Sequence, residues 1–349
     1  MKNIPALRGL AVIGLMLLAF AVQAEDNRGR VMYLRGSVTA LDGTTGVPRL
    51  LRADSHVRLG EIIETGPGSV VQIVFPDRSM LNVKSDSKVK VEKFNFTKAR
   101  PEDDSMVVNL LKGGMRSLTG LVGKRNPEQV RYKTPVATIG IRGTILEISQ
   151  TADSGFRTIF DYGGGFMLAE GDAKLLLGAR EAGQVGADGS NLEKIPYERP
   201  ENDPAVLAGK LADAPPAEIL DTAGIICSEL DADQVLLMVA MEQSVPGATA
   251  NSMGSTVQGL TACLPVEVSA TMLSTAAYLD PEKATQMLDS AISGGANVAI
   301  ALESVLRGME HAPPAAVKAV VENAVKVHSL STNDANNIRD NLGSEGICR

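Results

Sequence analysis

The hydrophobic pattern changes period near residue 200, and that change constrains the fold more than any other feature of the chain. From Val31 to about Tyr197, short β-type runs are separated by Gly, Pro, Asp and Asn. Val70, Gln72 and Val74 fall on one face of a strand and Val71, Ile73 and Phe75 on the other. Pro76-Asp77-Arg78-Ser79 reads as a turn, with Met80 to Val83 starting the return strand. Val89 to Phe94 alternates apolar and charged residues, the pattern of a half-exposed strand. Further runs fall at 106–111, 130–132, 144–148, 158–161, 166–170 and 174–177. About a dozen short strands at this spacing predict an all-β domain: a sandwich, a roll or a short β-solenoid.

Beyond residue 216 the period is helical. Val317, Val320, Val321, Ala324 and Val325 share one helix face, as do Ala284, Met287, Leu288, Ala291 and Ile292. Several segments open on Pro, at Asp203-Pro204, Pro215-Pro216, Asp280-Pro281 and Pro313-Pro314, as helix first turns do. Pro followed by an amphipathic run, recurring at about 30 residues, predicts stacked helical hairpins. The expected division is a signal segment over 1–24, a β domain over 25–198, a linker over 199–216 rich in Pro, Asp and Ala, and an all-α region over 217–349.

At the N-terminus, Lys2 and Arg8 precede an apolar run from Gly9 to Ala21 and then Val22-Gln23-Ala24. That is the order of a cleavable secretory signal, and the run is shorter than the roughly 20 residues a membrane-crossing helix needs. The expectation is export to the periplasm of a Gram-negative bacterium, or to the cell surface or exterior, with no integral membrane segment after cleavage. Loss of Lys2 and Arg8 takes the formal charge from −7 to −9, which argues against a nucleic-acid partner. Of Cys227, Cys263 and Cys348, one pair is expected to form a disulfide in an oxidising compartment, with Cys227 and Cys263 favoured. The alternative is three small buried hydrophobes.

The β region resembles the FecR-type periplasmic domain family over about residues 31–190. The matching residues are Arg35-Gly36-Ser37-Val38, Leu59 to Gly66 followed by Ser69, Asp77 with Ser79-Met80-Leu81, and Leu111-Lys112-Gly113-Gly114. Most specific is the string from Lys133 to Thr144, containing Thr134, Pro135, Ala137, Gly140, Arg142, Gly143 and Thr144. Leu176-Leu177-Gly178 to Gly183-Gln184 resembles the closing strand. A structural role is expected for these residues: Gly140 and Gly143 shaping a tight backbone path, Pro135 stiffening its entry, and Arg142 clamping carbonyls or a carboxylate such as Glu147. In well-known members the domain is joined to a membrane helix and a cytoplasmic segment acting on a sigma factor. Without those parts, the resemblance implies an envelope protein-interaction or scaffolding role rather than sigma-factor regulation by this chain itself.

Candidates for chemistry are few. His56, His311 and His328 lack metal-ligand spacing, and no nucleophile-elbow motif is present, so no cofactor, metal or catalytic residue is expected. Glu102-Asp103-Asp104 reads as a solvated loop tip, Asp231-Ala232-Asp233 as a helix start, and Gly163-Gly164-Gly165 as a strand bend or bulge. The expected function is a non-enzymatic exported module with an envelope protein partner. Its alternative is binding of cell-wall glycan or polysaccharide through Tyr132, Tyr162 and Phe166, disfavoured by an aromatic content of 3% with no Trp. An unrecognised hydrolase is the remote third reading. Partner identity and oligomeric state are not legible.

Overall fold

A computed structural model describes residues 27–97, 99–212, 215–243 and 250–344. The signal segment 1–24 and Cys348 lie outside them.

The N-terminal region is β-rich and curls into a half-barrel made from one continuous sheet. From the edge strand Pro48–Leu50 the order runs through Val38–Leu41, Ile62–Thr65, Lys88–Asn95, Ser105–Lys112, Val130–Lys133, Thr138–Gln150, Gly114–Leu118, Met80–Val83, Val70–Val74 and Gly29–Arg35 to His56–Val57. Phe156–Leu168 pairs with Thr138–Gln150 and carries Lys174–Leu177 and Glu181–Val185, the latter bordered by Glu193–Ile195. Val130–Lys133 runs parallel to Ser105–Lys112, whereas the neighbouring ladders are antiparallel. The region is all-β as expected, and a single curled sheet matches the roll among the expected forms. Two sequence expectations merge: the runs at 158–161 and 166–170 belong to one 13-residue strand, Phe156–Leu168.

Alternation along the strands divides the side chains between two cores. Val71, Ile73, Phe75 and Leu81 point into the β interior with Phe94, Tyr132 and Phe160. Val74 and Met80, on the opposite face with Met32, Leu118 and Ile145, pack against the helices. Because helices cover that face, every residue of Met80–Val83 and Gly114–Leu118 is buried. Lys88–Asn95 lacks this cover and keeps a half-exposed alternation, with Lys88, Glu92 and Lys93 exposed.

The C-terminal region is helical: α1 (Pro204–Ala212), α2 (Pro216–Glu229), α3 (Ala232–Glu242), α4 (Ala250–Cys263), α5 (Val266–Leu279), α6 (Ala284–Ser293), α7 (Val298–Gly308), α8 (Pro314–Lys326) and α9 (Thr332–Ser344). Each packs on its next-but-one neighbour, so α1, α3, α5, α7 and α9 form one layer and α2, α4, α6 and α8 the other. This is a two-layer stack of helical hairpins. Pro starts α1, α2 and α8 where the sequence places it, and Pro281 opens a 3₁₀ turn leading into α6. Asp231 sits at the N-cap of α3, its backbone N–H donating to the Gln234 side chain at 3.0 Å. Cys227 on α2 and Cys263 at the end of α4 form a disulfide, with Cα atoms 6.2 Å apart.

The layer containing α3, α5 and α7 faces the sheet. Gln72 donates to the Asp233 carbonyl at 2.8 Å, and Arg35 pairs with Asp231 and Asp233. Arg30, almost fully buried, donates to the Arg307 carbonyl, pairs with Glu310 at 3.2 Å and lies over the Tyr278 ring. No helix among the described residues is long and apolar enough to cross a membrane.

Candidate functional site

The Thr134–Thr144 string folds as a turn followed by a bulged strand. Thr134 closes the turn: its Oγ1 accepts from the Ala137 N–H at 3.0 Å, and its own N–H donates to the Ala137 carbonyl at 2.8 Å. Pro135 sits in this turn between Val130–Lys133 and Thr138–Gln150. At Gly140 the Phe166 ring lies so close that a Cβ would come within 2.2 Å of it. Gly143 has φ of +62°, a conformation that strongly favours glycine, and marks the register shift between Ile141 and Thr144. Across this bulge the ladder pairs Thr144 with Gly163, and Gly163-Gly164-Gly165 supplies the matching bend. Arg142 is exposed at the bulge. The clamp on Glu147 expected of Arg142 is therefore made by other residues.

Those residues form a buried ionic joint between the two regions. Glu147, on the face of its strand turned toward the helices, accepts from Arg116 at 2.6 Å, from Arg199 at 2.7 Å and from Lys84. Arg116 also donates to Asp203 at 2.9 Å. Arg199 holds Asp161 through two bonds of 2.9 Å, and the Tyr197 hydroxyl donates to the same carboxylate at 3.2 Å. Three cations thus face three carboxylates, and Arg116, Glu147, Asp161 and Arg199 are each no more than 6% exposed. Burial alone would raise the Glu147 pKa, but Arg116, Lys84 and Arg199 outweigh it and hold the carboxyl well below its ordinary range.

Asp203 ties this joint to the helices, because its Oδ1 accepts from the Ala205 N–H at 2.8 Å at the start of α1. The stretch 199–216 read as a linker therefore carries two members of the joint and α1, whose Ala205, Ala208 and Leu211 are buried in the helical core. Its Pro-, Asp- and Ala-rich composition reflects capping and helix entry.

Beside the joint lies a groove of about 960 Å³ between the strand Phe156–Leu168 and α1, lined by Arg157, Tyr162, Arg180, Tyr197, Glu198 and Lys210 among others. Its floor is the Asp161–Arg199 pair, and at Gly209 the Tyr162 hydroxyl would stand 2.2 Å from a Cβ.

The remaining sequence candidates stand apart. Tyr132 is fully buried, its hydroxyl 2.7 Å from the Ser117 Oγ, and burial pushes its pKa up against that hydrogen bond. Phe166 is half-buried over Gly140, with Arg131 and Lys174 against its ring. Tyr132, Tyr162 and Phe166 therefore do not form one open aromatic surface. Asp104 is buried against Arg125 and the Thr97 N–H, so the loop tip consists of the exposed Glu102 and Asp103. His328 pairs with Asp289 at 2.6 Å and His311 with Glu310 at 3.3 Å, while His56 lies on an edge strand. Among the described residues, no group of three or more His, Cys, Asp or Glu is placed to hold a metal ion. Other motif residues brace neighbouring hairpins: the Ser69 Oγ accepts from the Ser37 N–H at 2.9 Å, and Asp77 accepts from the Ser79 and Val122 N–H groups.

Residues 61–159 match the model of the family described as FecR protein. No curated protein matches the sequence. Two crystal structures of a "putative anti-sigma factor" from Parabacteroides distasonis ATCC 8503, at 2.50 and 1.65 Å resolution, are similar at 13% identity and a TM-score of 0.33. They cover 47% and 48% of this chain and 73% and 74% of those chains. An overlap that slight carries no weight for fold or partner.

Proposed function

Because the chain carries a FecR-type domain at residues 61–159, we propose that it is a non-enzymatic, signalling-associated binding module of the bacterial envelope. The family match is the observation that carries this reading. In it, the signal segment 1–24 directs export, the mature chain works in the periplasm, and the β region and the helical stack together present the surface for an envelope protein. The buried joint at Glu147 and Arg199 supports a rigid unit, since helix position is tied to the sheet by charge pairs, the Gln72–Asp233 hydrogen bond and shared apolar packing. Stacked helical hairpins suit this role because they offer an extended surface built from repeated units.

The test is affinity capture from solubilised bacterial envelope with residues 25–349 as bait, under gentle crosslinking. The expected result is a stoichiometric protein partner. Recovery of no protein, or of glycan alone, contradicts the reading.

A further inference from the structure

We propose that the groove between the strand Phe156–Leu168 and α1 binds a short acidic peptide segment of the partner protein. This inference rests on the interaction reading above and assigns a place and a chemistry to the partner.

Charge is the first ground. The chain as a whole carries a formal charge of −7, yet Arg157, Arg180 and Lys210 converge on one groove and carry no carboxylate partner among the described residues. Among the described residues, Glu198 is the one acidic lining residue outside the joint, because Asp161 is already held by Arg199. Two positive charges in excess thus sit in a concavity of an otherwise acidic molecule. Arginine is suited to carboxylates because its planar fork donates two parallel hydrogen bonds.

The groove's shape is the second ground. Its volume of about 960 Å³ is large for a single small anion, and Arg180, Glu198 and Lys210 are exposed along it. Tyr162 and Tyr197, both half-buried, add apolar ring surface between the cations and suit the stems of extended side chains. A polyanion such as nucleic acid, or an anionic membrane, would have to extend over the acidic remainder of the surface. A short acidic segment brings negative charge only to the basic groove.

The ionic joint keeps the groove pre-formed. Asp161 and Arg199 build its floor and Asp203 fixes the start of α1, so both walls stand in place before a ligand arrives.

The experiment titrates residues 25–349 with an N-acetylated, C-amidated hexaglutamate peptide by calorimetry, with inorganic phosphate as the small-anion probe. The comparison protein carries Arg157→Gln, Arg180→Gln and Lys210→Gln together. A control carries Lys318→Gln and Lys326→Gln on α8. The expected result is hexaglutamate binding that weakens at least about tenfold in the triple variant, persists in the control, and weakens severalfold as salt rises from about 50 to 200 mM. Equal binding by the wild type and the triple variant overturns the proposal. So does phosphate binding as tight as that of the peptide, which would make the groove a small-anion site. Circular dichroism of the triple variant, whose three changed side chains lie outside the ionic joint, should overlay the wild type. If the triple variant still captures the envelope partner at full yield, the groove is not the partner's site while the interaction reading survives. If wild type and variant both capture nothing, the interaction reading itself fails.

Discussion

The β region and the helical stack reach stability by different means. The sheet buries bulky side chains, with Phe75, Phe94, Tyr132, Phe156 and Phe160 almost fully enclosed in one interior. The helices pack on Ala, Met and Leu, and small residues let them approach closely: a Cβ at Gly308 would lie 2.2 Å from the Ser274 carbonyl oxygen, and one at Gly259 2.7 Å from the Ala223 Cβ. Buried area per residue is smaller in the second case, at about 25 cal/mol per Å² of apolar surface. The stack compensates with the Cys227–Cys263 disulfide and with the covered face of the sheet, whose Met32, Val74, Met80, Leu118 and Ile145 belong to its core. The difference teaches that the helical region leans on the sheet, and that the joint at Glu147 is where it does so most polarly.

The sharpest way to break the comparison is to cut the joint. Glu147→Ala leaves the buried Arg116 and Arg199 and the partly exposed Lys84 short of a partner, and removing one side of a buried ionic network costs about 3–5 kcal/mol. The expected outcome in urea unfolding is a large loss of stability, with proteolysis opening first around residues 196–216. A variant that unfolds at the wild-type urea concentration would show the network to be ornamental.

Core deletions come next and measure the two regions against each other. Phe75→Ala should cost about 3–5 kcal/mol, whereas Ala276→Gly in α5 should cost about 1 kcal/mol. Thermal melts of the pair read the contrast directly, and equal shifts would remove it.

Reduction of the disulfide acts first on the helical region. With Cys227 and Cys263 36 positions apart in the sequence, loop-closure entropy assigns it about 3–4 kcal/mol. Hydrogen exchange in reductant should accelerate more in α2 and α4 than in the strands.

The last effect, and the one confined to a single titrating group, is a pH dependence. Glu242 is buried at the end of α3 with Thr256 Oγ1 donating to it at 3.1 Å, and burial, only partly offset by its hydrogen bonds, raises its pKa from 4.5 to about 7. A carboxyl raised in this way leaves stability intact below the unfolded value and removes it as pH rises from about 4.5 toward 7. The loss reaches up to about 3 kcal/mol, given 1.36 kcal/mol per unit. Glu242→Gln should therefore melt higher than wild type at pH 8, with the advantage shrinking toward pH 5. A pH-independent difference would contradict the assignment.

Much of this architecture is legible in the sequence, for local reasons. The segment Val70–Phe75 is largely apolar on both faces, which is the signature of a covered strand, and the structure covers it with helices on one side and the β interior on the other. Val89–Phe94 alternates and is half-exposed. Met287, Leu288 and Ala291 share a helix face and are buried. The joint was not legible, because Arg116, Glu147, Asp161, Arg199 and Asp203 are scattered over 87 residues and share no period. Two signals existed: Arg116 interrupts a strand that is otherwise apolar or small, and Glu147 interrupts the apolar run Ile145 to Ile148, where an unpaired charge would be costly. The groove cations come from a strand, a turn and a helix, and only the fold brings them together.

Scanning calorimetry of residues 25–349 as wild type and as Arg199→Ala tests most directly whether sheet and helical stack act as one body. One cooperative transition in the wild type, splitting into an early helical and a later β transition in the variant, is the predicted result. Two separate transitions already present in the wild type, at temperatures unmoved by Arg199→Ala, would contradict it.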